Sequence, residues 1–429
     1  MNEMTIKSGG LLKGEISVPG DKSISHRAVI FASIADGTSS ISNFLAGEDC
    51  ISSIKAMRAA GVSIDMEKDR ILVRGSSLFG LKEPEDVIDA GNSGTTTRLL
   101  AGLFASQNFF TVMTGDRYLR KRPMKRVVEP LRTMGAHIYG REEGNKLPLA
   151  ICGKRLKGIE YRSPVASAQI KSSLLLAGLT ADGTTTVYEP SLSRDHSERM
   201  LLAMGAKGRR LDGCGFSIDG GHALSAVDIE VPGDISSAAF FIVAALIVEG
   251  AELLIKGVGV NPTRTGIIDI LTAMGGNIRL ENEREVAGEP VADIVVKAGP
   301  LKGIEIDGDI IPRAIDEIPV VAVAAAFADG TTIVRGAGEL RVKESDRIKA
   351  ITSELGKLGA DIEELEDGFR VEGGRPLKGT GVESFDDHRI AMSMAVAGLK
   401  AAGETVISDS GCVNISFPGF FTLLDSIRR

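Results

Sequence analysis

Five short polar clusters stand out because each gathers hydroxyls, amides or charges just ahead of a long apolar stretch. They are Asp21-Lys-Ser-Ile-Ser-His-Arg27, Gly91-Asn-Ser-Gly-Thr-Thr-Thr-Arg98, Ser163-Pro-Val-Ala-Ser-Ala-Gln-Ile-Lys171, Arg313-Ala-Ile-Asp-Glu-Ile-Pro319 and Asp386-Asp-His-Arg389. A helix N-terminus presents unpaired N–H groups and the positive end of its dipole, so it favours bound anions. Ser, Thr and Asp there are also ordinary caps, and any one cluster alone reads equally well that way. The cations Lys22, Arg27, Arg98 and Arg389 do not fit capping, because a positive charge in the first turn opposes the dipole unless an anion offsets it. If these helix ends converge, they form a cationic cup for a small polyanion.

Two more stretches carry charge. From Arg117 to Arg132 there are seven cations against Glu129 alone. A solvated basic face is the plain alternative; RNA binding is disfavoured because Tyr118 is the only aromatic interleaved there. Arg341-Val-Lys-Glu-Ser-Asp-Arg347 is expected to open an amphipathic helix, with charges that could pair three and four residues apart. Other chemistries find little support. Gly20-Asp-Lys-Ser23 approaches a P-loop, but Asp21 breaks the Walker spacing. KGVGVNPTRTG contains only GxG. The five His form no HExxH motif, and there is no GxSxG elbow.

These clusters need elements to hold them, and an internal repeat supplies those. The segment from Val18 to Gly37 returns from Val231 to Gly250, an offset of about half the 429-residue chain. A finer period is marked by Gly61, Gly135, Gly205, Gly275 and Gly359, each just after an apolar helical stretch. Such a position calls for the left-handed conformation that Gly tolerates best. A second series, at Gly37, Gly183, Gly250, Gly330 and Gly403, is followed by TSSI, TTTV, AELLI, TTIV and ETVI, which read as strands. The segment 94–108 supplies a sixth, less regular member. The pattern predicts six units of about 70 residues, each with two helices and several short strands. Segments such as SAAFFIVAALIV and IPVVAVAAAFA are apolar nearly all round and should be buried; PLRTMGA and IIDILTAMGG are amphipathic and should cover a surface. A sixth buried helix, opened by Gly233-Asp-Ile-Ser-Ser237, carries no cation of its own.

Composition bounds the class. Hydrophobic residues make up 43% and charged residues 25%, the balance of a globular protein. The longest apolar run, Ala238 to Val248, is 11 residues, too short to span a bilayer. The N-terminus lacks signal- and transit-peptide patterns. Four scattered Cys without a CxxC pair argue against zinc and disulfides and suit a reducing cytoplasm. A net charge of −7 disfavours general nucleic-acid binding.

PGDKSISHR, GNSGTTTR, GDRYLRKRPM, SPVASAQIKS, RVKESDRI, DHRIAM and SFPGF, in that order along almost the whole chain, closely resemble the 5-enolpyruvylshikimate-3-phosphate synthase family of enolpyruvyl transferases. The resemblance implies an α/β fold of two inside-out domains, each of three βαβαββ units in pseudo-threefold arrangement, with the active site in the cleft between them. The chain should cross between domains twice, at the two VPGD segments. That places residues 20–231 in one domain, and 1–19 with 232–429 in the other. It implies transfer of the enolpyruvyl group of phosphoenolpyruvate to the 5-hydroxyl of shikimate 3-phosphate, releasing phosphate, with no cofactor and no metal.

By motif match, Lys22, Ser23, Arg27, Ser167, Ala168, Gln169, Arg194, Asp316 and Lys343 resemble the shikimate 3-phosphate site. Lys22, Gly94, Arg122, Gln169, Arg347 and Arg389 resemble the phosphoenolpyruvate site, where arginine forks suit carboxylate and phosphate. Asp316 resembles the proton acceptor facing the hydroxyl, Glu344 the group that exchanges protons with the methylene carbon, and Lys22 a residue that serves the phosphate leaving group. As plain alternatives, Asp316 would cap a helix and Glu344 would form a surface ion pair. Ile415 stands where some members carry a lysine. At Gly94 the family resemblance associates alanine with tolerance to glyphosate, an inhibitor longer than the substrate. A related family acting on UDP-N-acetylglucosamine uses a Cys in the GDRYLRKRPM loop, and this chain has none there. A non-catalytic anion-binding repeat protein would show cations without paired acids. The remaining expectations are a cytoplasmic monomer that meets small-molecule substrates, no nucleic acid and no membrane.

Overall fold

The computed structural model describes residues 3–429. The chain divides into two compact units. One comprises residues up to Pro19, Gly233–Arg284 and Pro290–Arg429; the other comprises Gly20–Pro232 and Glu285–Glu289. For brevity they are the discontinuous unit and the central unit.

Among the described residues, six largely buried helices occupy the positions the repeat marks. Lys22–Ser33, Gly94–Ala105 and Ala168–Gly178 lie in the central unit, and Ile235–Ile247, Ile318–Ala326 and His388–Gly398 in the discontinuous one. All thirteen residues of Ile235–Ile247 and all nine of Ile318–Ala326 are buried. A helix without a polar face has nowhere else to go in water. The amphipathic helices, such as Lys125–Thr133 and Gly266–Ala273, bury one side only.

The described strands form six small sheets. Strands such as Thr38–Ser42, Phe110–Thr114, Thr184–Tyr188 and Glu404–Ser408 alternate buried and more open residues, as a period of two requires. Ile88–Asp89 pairs parallel with Phe110–Thr114 across the intervening buried helix, and Glu160–Arg162 does the same with Thr184–Tyr188. A parallel pair needs such a crossover. The pairing is exchanged where the chain passes from one unit to the other. Lys13–Ser17, which precedes the first buried helix, pairs with Glu252–Gly259; Ile229–Glu230, which precedes the fourth, pairs with Thr38–Ser42.

The glycines behave as the repeat requires. Gly61, Gly135, Gly205, Gly275 and Gly359 have φ of 85, 102, 90, 91 and 96°. Gly102 serves differently: a Cβ there would stand 2.0 Å from the Ser173 carbonyl oxygen, so its absence lets helix Gly94–Ala105 press against Ala168–Gly178. One expectation fails. Arg341-Val-Lys-Glu-Ser-Asp-Arg347 does not open a helix at Arg341. Residues Gly338–Val342 form a 3-10 turn, and the α-helix starts at Arg347, where Asp346 accepts from the Lys349 N–H. Asp346 provides the cap, so the residues before it are free to adopt the loop.

Candidate active site

In the central unit, the three buried helices bring the first three polar clusters to their N-terminal ends. Asp21 caps Lys22–Ser33 by accepting from the Ile24 N–H, and Ser93 caps Gly94–Ala105 through the Thr96 N–H. These caps are the plain part of the clusters. Ser167, at the N-cap of Ala168–Gly178, makes no side-chain capping bond.

Arg27 is 2% exposed and held by three bonds: Nε donates to Ser197 Oγ at 2.8 Å, Nη2 to Ser172 Oγ at 2.8 Å and Nη1 to the Ser23 carbonyl at 2.9 Å. Burial pulls its pKa down to about 10 against the pull of Asp21 and Glu198, and Arg194 is near enough to add to the lowering. Lys22 pairs with Asp49 at 2.5 Å. Burial pushes the Asp49 carboxyl up, but the Lys22 charge and hydrogen bond outweigh it and leave the group below its ordinary value.

Arg98 lies beside Gln169. Its Nη1 donates to Gln169 Oε1 at 2.6 Å and its Nη2 to the Pro123 carbonyl at 3.2 Å. Both acceptors are neutral. Burial, then the charges of Arg126 and Arg122, lowers its pKa to about 9. Gln169 Nε2 donates to Thr95 Oγ1 at 3.2 Å, tying two of the helix starts together. Half-buried Arg122 donates to Asn92 Oδ1 at 2.8 Å. The guanidinium groups of Arg98 and Arg122 converge on Gly94: a Cβ there would be 2.9 Å from Arg98 Nη1 and 3.3 Å from Arg122 Nη1. Several cations are therefore held close together beside a bare stretch of backbone, an arrangement that a bound phosphate or carboxylate relieves.

The discontinuous unit holds the acids. Arg347, 1% exposed, donates Nε to Asp387 Oδ2 at 2.8 Å, Nη2 to Glu344 Oε2 at 2.5 Å and Nη1 to Asp316 Oδ1 at 3.4 Å. Burial opposes its charge, but Glu344, Asp387 and Asp316 together raise its pKa. Lys343 and Arg389 each stand 3.9 Å from Asp316 carboxylate oxygens, and Arg389 Nη1 donates to the Asp316 carbonyl at 2.9 Å. Asp387 also accepts from Ser345 Oγ at 3.0 Å and from the Arg389 N–H at 2.9 Å. For Glu344 burial raises the pKa, but the Arg347 charge and then His388 outweigh it, so the carboxyl stays below its ordinary value. His388 is itself pulled down to about 3 by burial and then by Arg389.

The plain readings of the two acids fare differently. The N-cap residue of Ile318–Ala326 is Glu317, and Asp316 instead faces Arg347, Lys343 and Arg389. Glu344 does form an ion pair with Arg347, but with a partner that is buried. Ile415 ends a 3-10 helix, Ser410–Ile415, and is 39% exposed.

Sequence reasoning missed several supporting groups. Asp49 braces Lys22 and Glu189 the Ser167 backbone, and no motif announced either because their partners are distant in sequence; Asp387, inside the DHRIAM motif, braces Arg347. The cation absent from the sixth helix start is supplied by Arg264, whose Nη2 donates to Ser236 Oγ at 2.6 Å. Ser236 in turn donates to Glu317.

Residues 6–424 match the family model for EPSP synthase (3-phosphoshikimate 1-carboxyvinyltransferase). The chain belongs to the EPSP synthase family. It is 61% identical over 416 residues to the 3-phosphoshikimate 1-carboxyvinyltransferase of Geobacter sulfurreducens, covering 97% of each chain. The corresponding protein of Citrifermentans bemidjiense is 58% identical over 427 residues, covering 100% of this chain and 99% of the relative. The solved EPSP synthase of Acinetobacter baumannii superimposes with a TM-score of 0.93 at 47% identity, covering 99% of this chain and 98% of that one. The α/β architecture of the EPSP synthase family is thus the one this chain adopts.

Proposed function

We propose that this chain transfers the enolpyruvyl group of phosphoenolpyruvate to the 5-hydroxyl of shikimate 3-phosphate, releasing phosphate, on the route to chorismate and the aromatic amino acids. The observation that carries this reading is the family match over residues 6–424, with the motif residues of both substrates present in order. Both substrates combine phosphate with carboxylate, which accounts for cations gathered at helix starts.

Within this reading, Ser23, Arg27, Ser167, Ala168, Gln169, Arg194 and Lys343 hold shikimate 3-phosphate. Gly94, Arg122, Arg347 and Arg389 hold phosphoenolpyruvate, with Gln169 shared. Addition forms the bond from the 5-oxygen to C2 of phosphoenolpyruvate, while the hydroxyl loses a proton and C3 gains one. Elimination breaks the C2–O bond to phosphate and returns a proton from C3. Asp316 takes the hydroxyl proton, Glu344 exchanges protons with C3, and Lys22 neutralises the departing phosphate. Arg347 holds both acids in place, and its charge keeps Glu344 ionised until substrate carboxylate competes for the guanidinium. The protein works as a cytoplasmic monomer. Among the described residues no helix is long and apolar enough to cross a membrane.

The test is phosphate release from phosphoenolpyruvate with either shikimate 3-phosphate or UDP-N-acetylglucosamine as acceptor. Release with shikimate 3-phosphate alone is expected. Release only with the nucleotide sugar, or with neither acceptor, contradicts the reading.

A further inference from the structure

A second buried ionic cluster lies in the central unit, and the roles above do not use it. Lys171 sits inside helix Ala168–Gly178, among Leu, Ile and Ser, with a side chain only 1% exposed. Its ammonium meets Glu189 Oε2 at 2.6 Å and Glu198 Oε1 at 2.8 Å, on carboxylates whose side chains are 1% and 4% exposed. Burial disfavours both charged forms, yet the two carboxylates together raise the Lys171 pKa. Burial raises the Glu198 pKa despite Lys171, and Glu198 Oε2 has no hydrogen-bond partner. Such a cluster is poor value for stability alone, since a well-packed apolar side chain in place of a buried ion pair often serves as well or better.

The bonds made by Glu189 show a different use. Its Oε1 accepts from the Ser167 N–H at 2.7 Å, while its Oε2 accepts from Ser193 Oγ at 2.8 Å and from the Ser193 N–H at 3.4 Å. One carboxylate therefore fixes the start of the Ser167 helix and the loop that leads into Arg194, and Lys171 anchors that carboxylate to the helix body. Ser167 spends no hydroxyl bond on capping. We infer that Glu189, anchored by Lys171, is a positioning residue that sets the spacing between Ser167 and Arg194 and so tunes affinity for shikimate 3-phosphate. This rests on the functional reading above.

Glu198 provides the comparison, because it shares Lys171 through Oε1, while the bonds to Ser167 and Ser193 are made by Glu189. Glu189→Gln presents an amide N–H to at least one of the donors that the carboxylate now accepts, while Lys171 keeps Glu198. The experiment measures kcat, both KM values, the Kd of shikimate 3-phosphate without phosphoenolpyruvate, and the urea midpoint for Glu189→Gln, Glu189→Asp and Glu198→Gln. In the Glu189 variants the KM and Kd for shikimate 3-phosphate should rise by about tenfold or more, the scale of a lost charge-assisted hydrogen bond. The KM for phosphoenolpyruvate and kcat should change by less than about threefold, as expected for lost uniform binding. Glu198→Gln should move the urea midpoint and leave shikimate 3-phosphate affinity near wild type. Equal rises in both KM values, or the same loss of affinity in Glu198→Gln, would reduce Glu189 to a structural role and overturn the inference. If Glu189→Gln does not fold, Glu189→Asp decides, since it keeps the charge but is one methylene too short to reach both loops. A wild-type protein that neither binds shikimate 3-phosphate nor turns it over defeats the functional reading itself; one that does so with Glu189 variants unchanged defeats only this inference.

Discussion

Replacing Gly94 by alanine adds one methyl group at the point where two guanidinium groups converge. The backbone there is not left-handed, so alanine meets no conformational penalty. What it meets is Arg98 Nη1 at 2.9 Å and Arg122 Nη1 at 3.3 Å. Ordinary contact begins near ~3.5 Å, so the Arg98 nitrogen must retreat by about 0.6 Å and the Arg122 nitrogen by about 0.2 Å. Arg98 is not free to do so without cost, because the same nitrogen donates to Gln169 Oε1 at 2.6 Å. The methyl and the displaced cations should narrow the phosphoenolpyruvate pocket. Glyphosate, being longer than the substrate, should suffer more. The discrimination should be about 1–3 kcal/mol, the scale of one misplaced methylene, or roughly 10- to 200-fold in Ki relative to KM. The assay is inhibition by glyphosate, competitive against phosphoenolpyruvate in the unaltered protein, with Ki and KM measured for both proteins. If Ki and KM rise by the same factor, the reasoning fails, and Gly94 is needed only for the backbone path.

Three other substitutions follow from the same geometry. Asp316→Asn keeps the shape beside Arg347 and removes the basic oxygen, so kcat should fall by roughly 10²-fold or more with both substrates still bound; near-normal turnover would remove Asp316 from the chemistry. His26 is neutral in the fold, with a pKa lowered to about 3 by burial first, against Asp49 and with Lys22 and Arg27. The unfolded chain takes up that proton below about pH 6.5, so this contribution is intact above pH 6.5 and is lost as pH falls toward 3, at up to about 1.4 kcal/mol per pH unit. His26→Gln should flatten the acid side of the urea-stability profile by that slope, and an unchanged profile would show that His26 titrates normally. Gly102→Ala should cost about 3 kcal/mol or more, the upper end for overpacking, because its Cβ would collide with the Ser173 carbonyl; an unchanged urea midpoint would mean that the two helices part easily.

Much of the fold was legible because helix ends and turns leave local marks. Gly61 and Gly359 have the positive φ that their place after an apolar stretch requires, and Thr184–Tyr188 is the strand that its β-branched residues predict. The start of the helix at Arg347 was misplaced because charges from Arg341 onward fit helical spacing, while the deciding cap at Asp346 is a single residue. In the site, the motif carriers lay at helix starts and were visible. Their braces were not. Asp49 meets Lys22 from 27 residues away, and Arg264 reaches Ser236 from 28. Only packing brings such partners together. Glu189 is less visible still, because its role lies in backbone N–H groups that carry no sequence signature.

Addition followed by elimination is the chemistry for which Asp316, Glu344 and Lys22 are assigned, and hydrogen exchange at C3 tests it most directly. The reaction would be run in deuterium oxide with phosphoenolpyruvate and shikimate 3-phosphate, and the product examined by mass spectrometry and proton NMR. A methyl group that forms transiently at C3 must acquire deuterium and then lose one of three hydrogens, so deuterium is expected in the methylene of the product. Glu344→Gln should slow both the exchange and the turnover. Product formed at the normal rate with no deuterium in its methylene would contradict the mechanism.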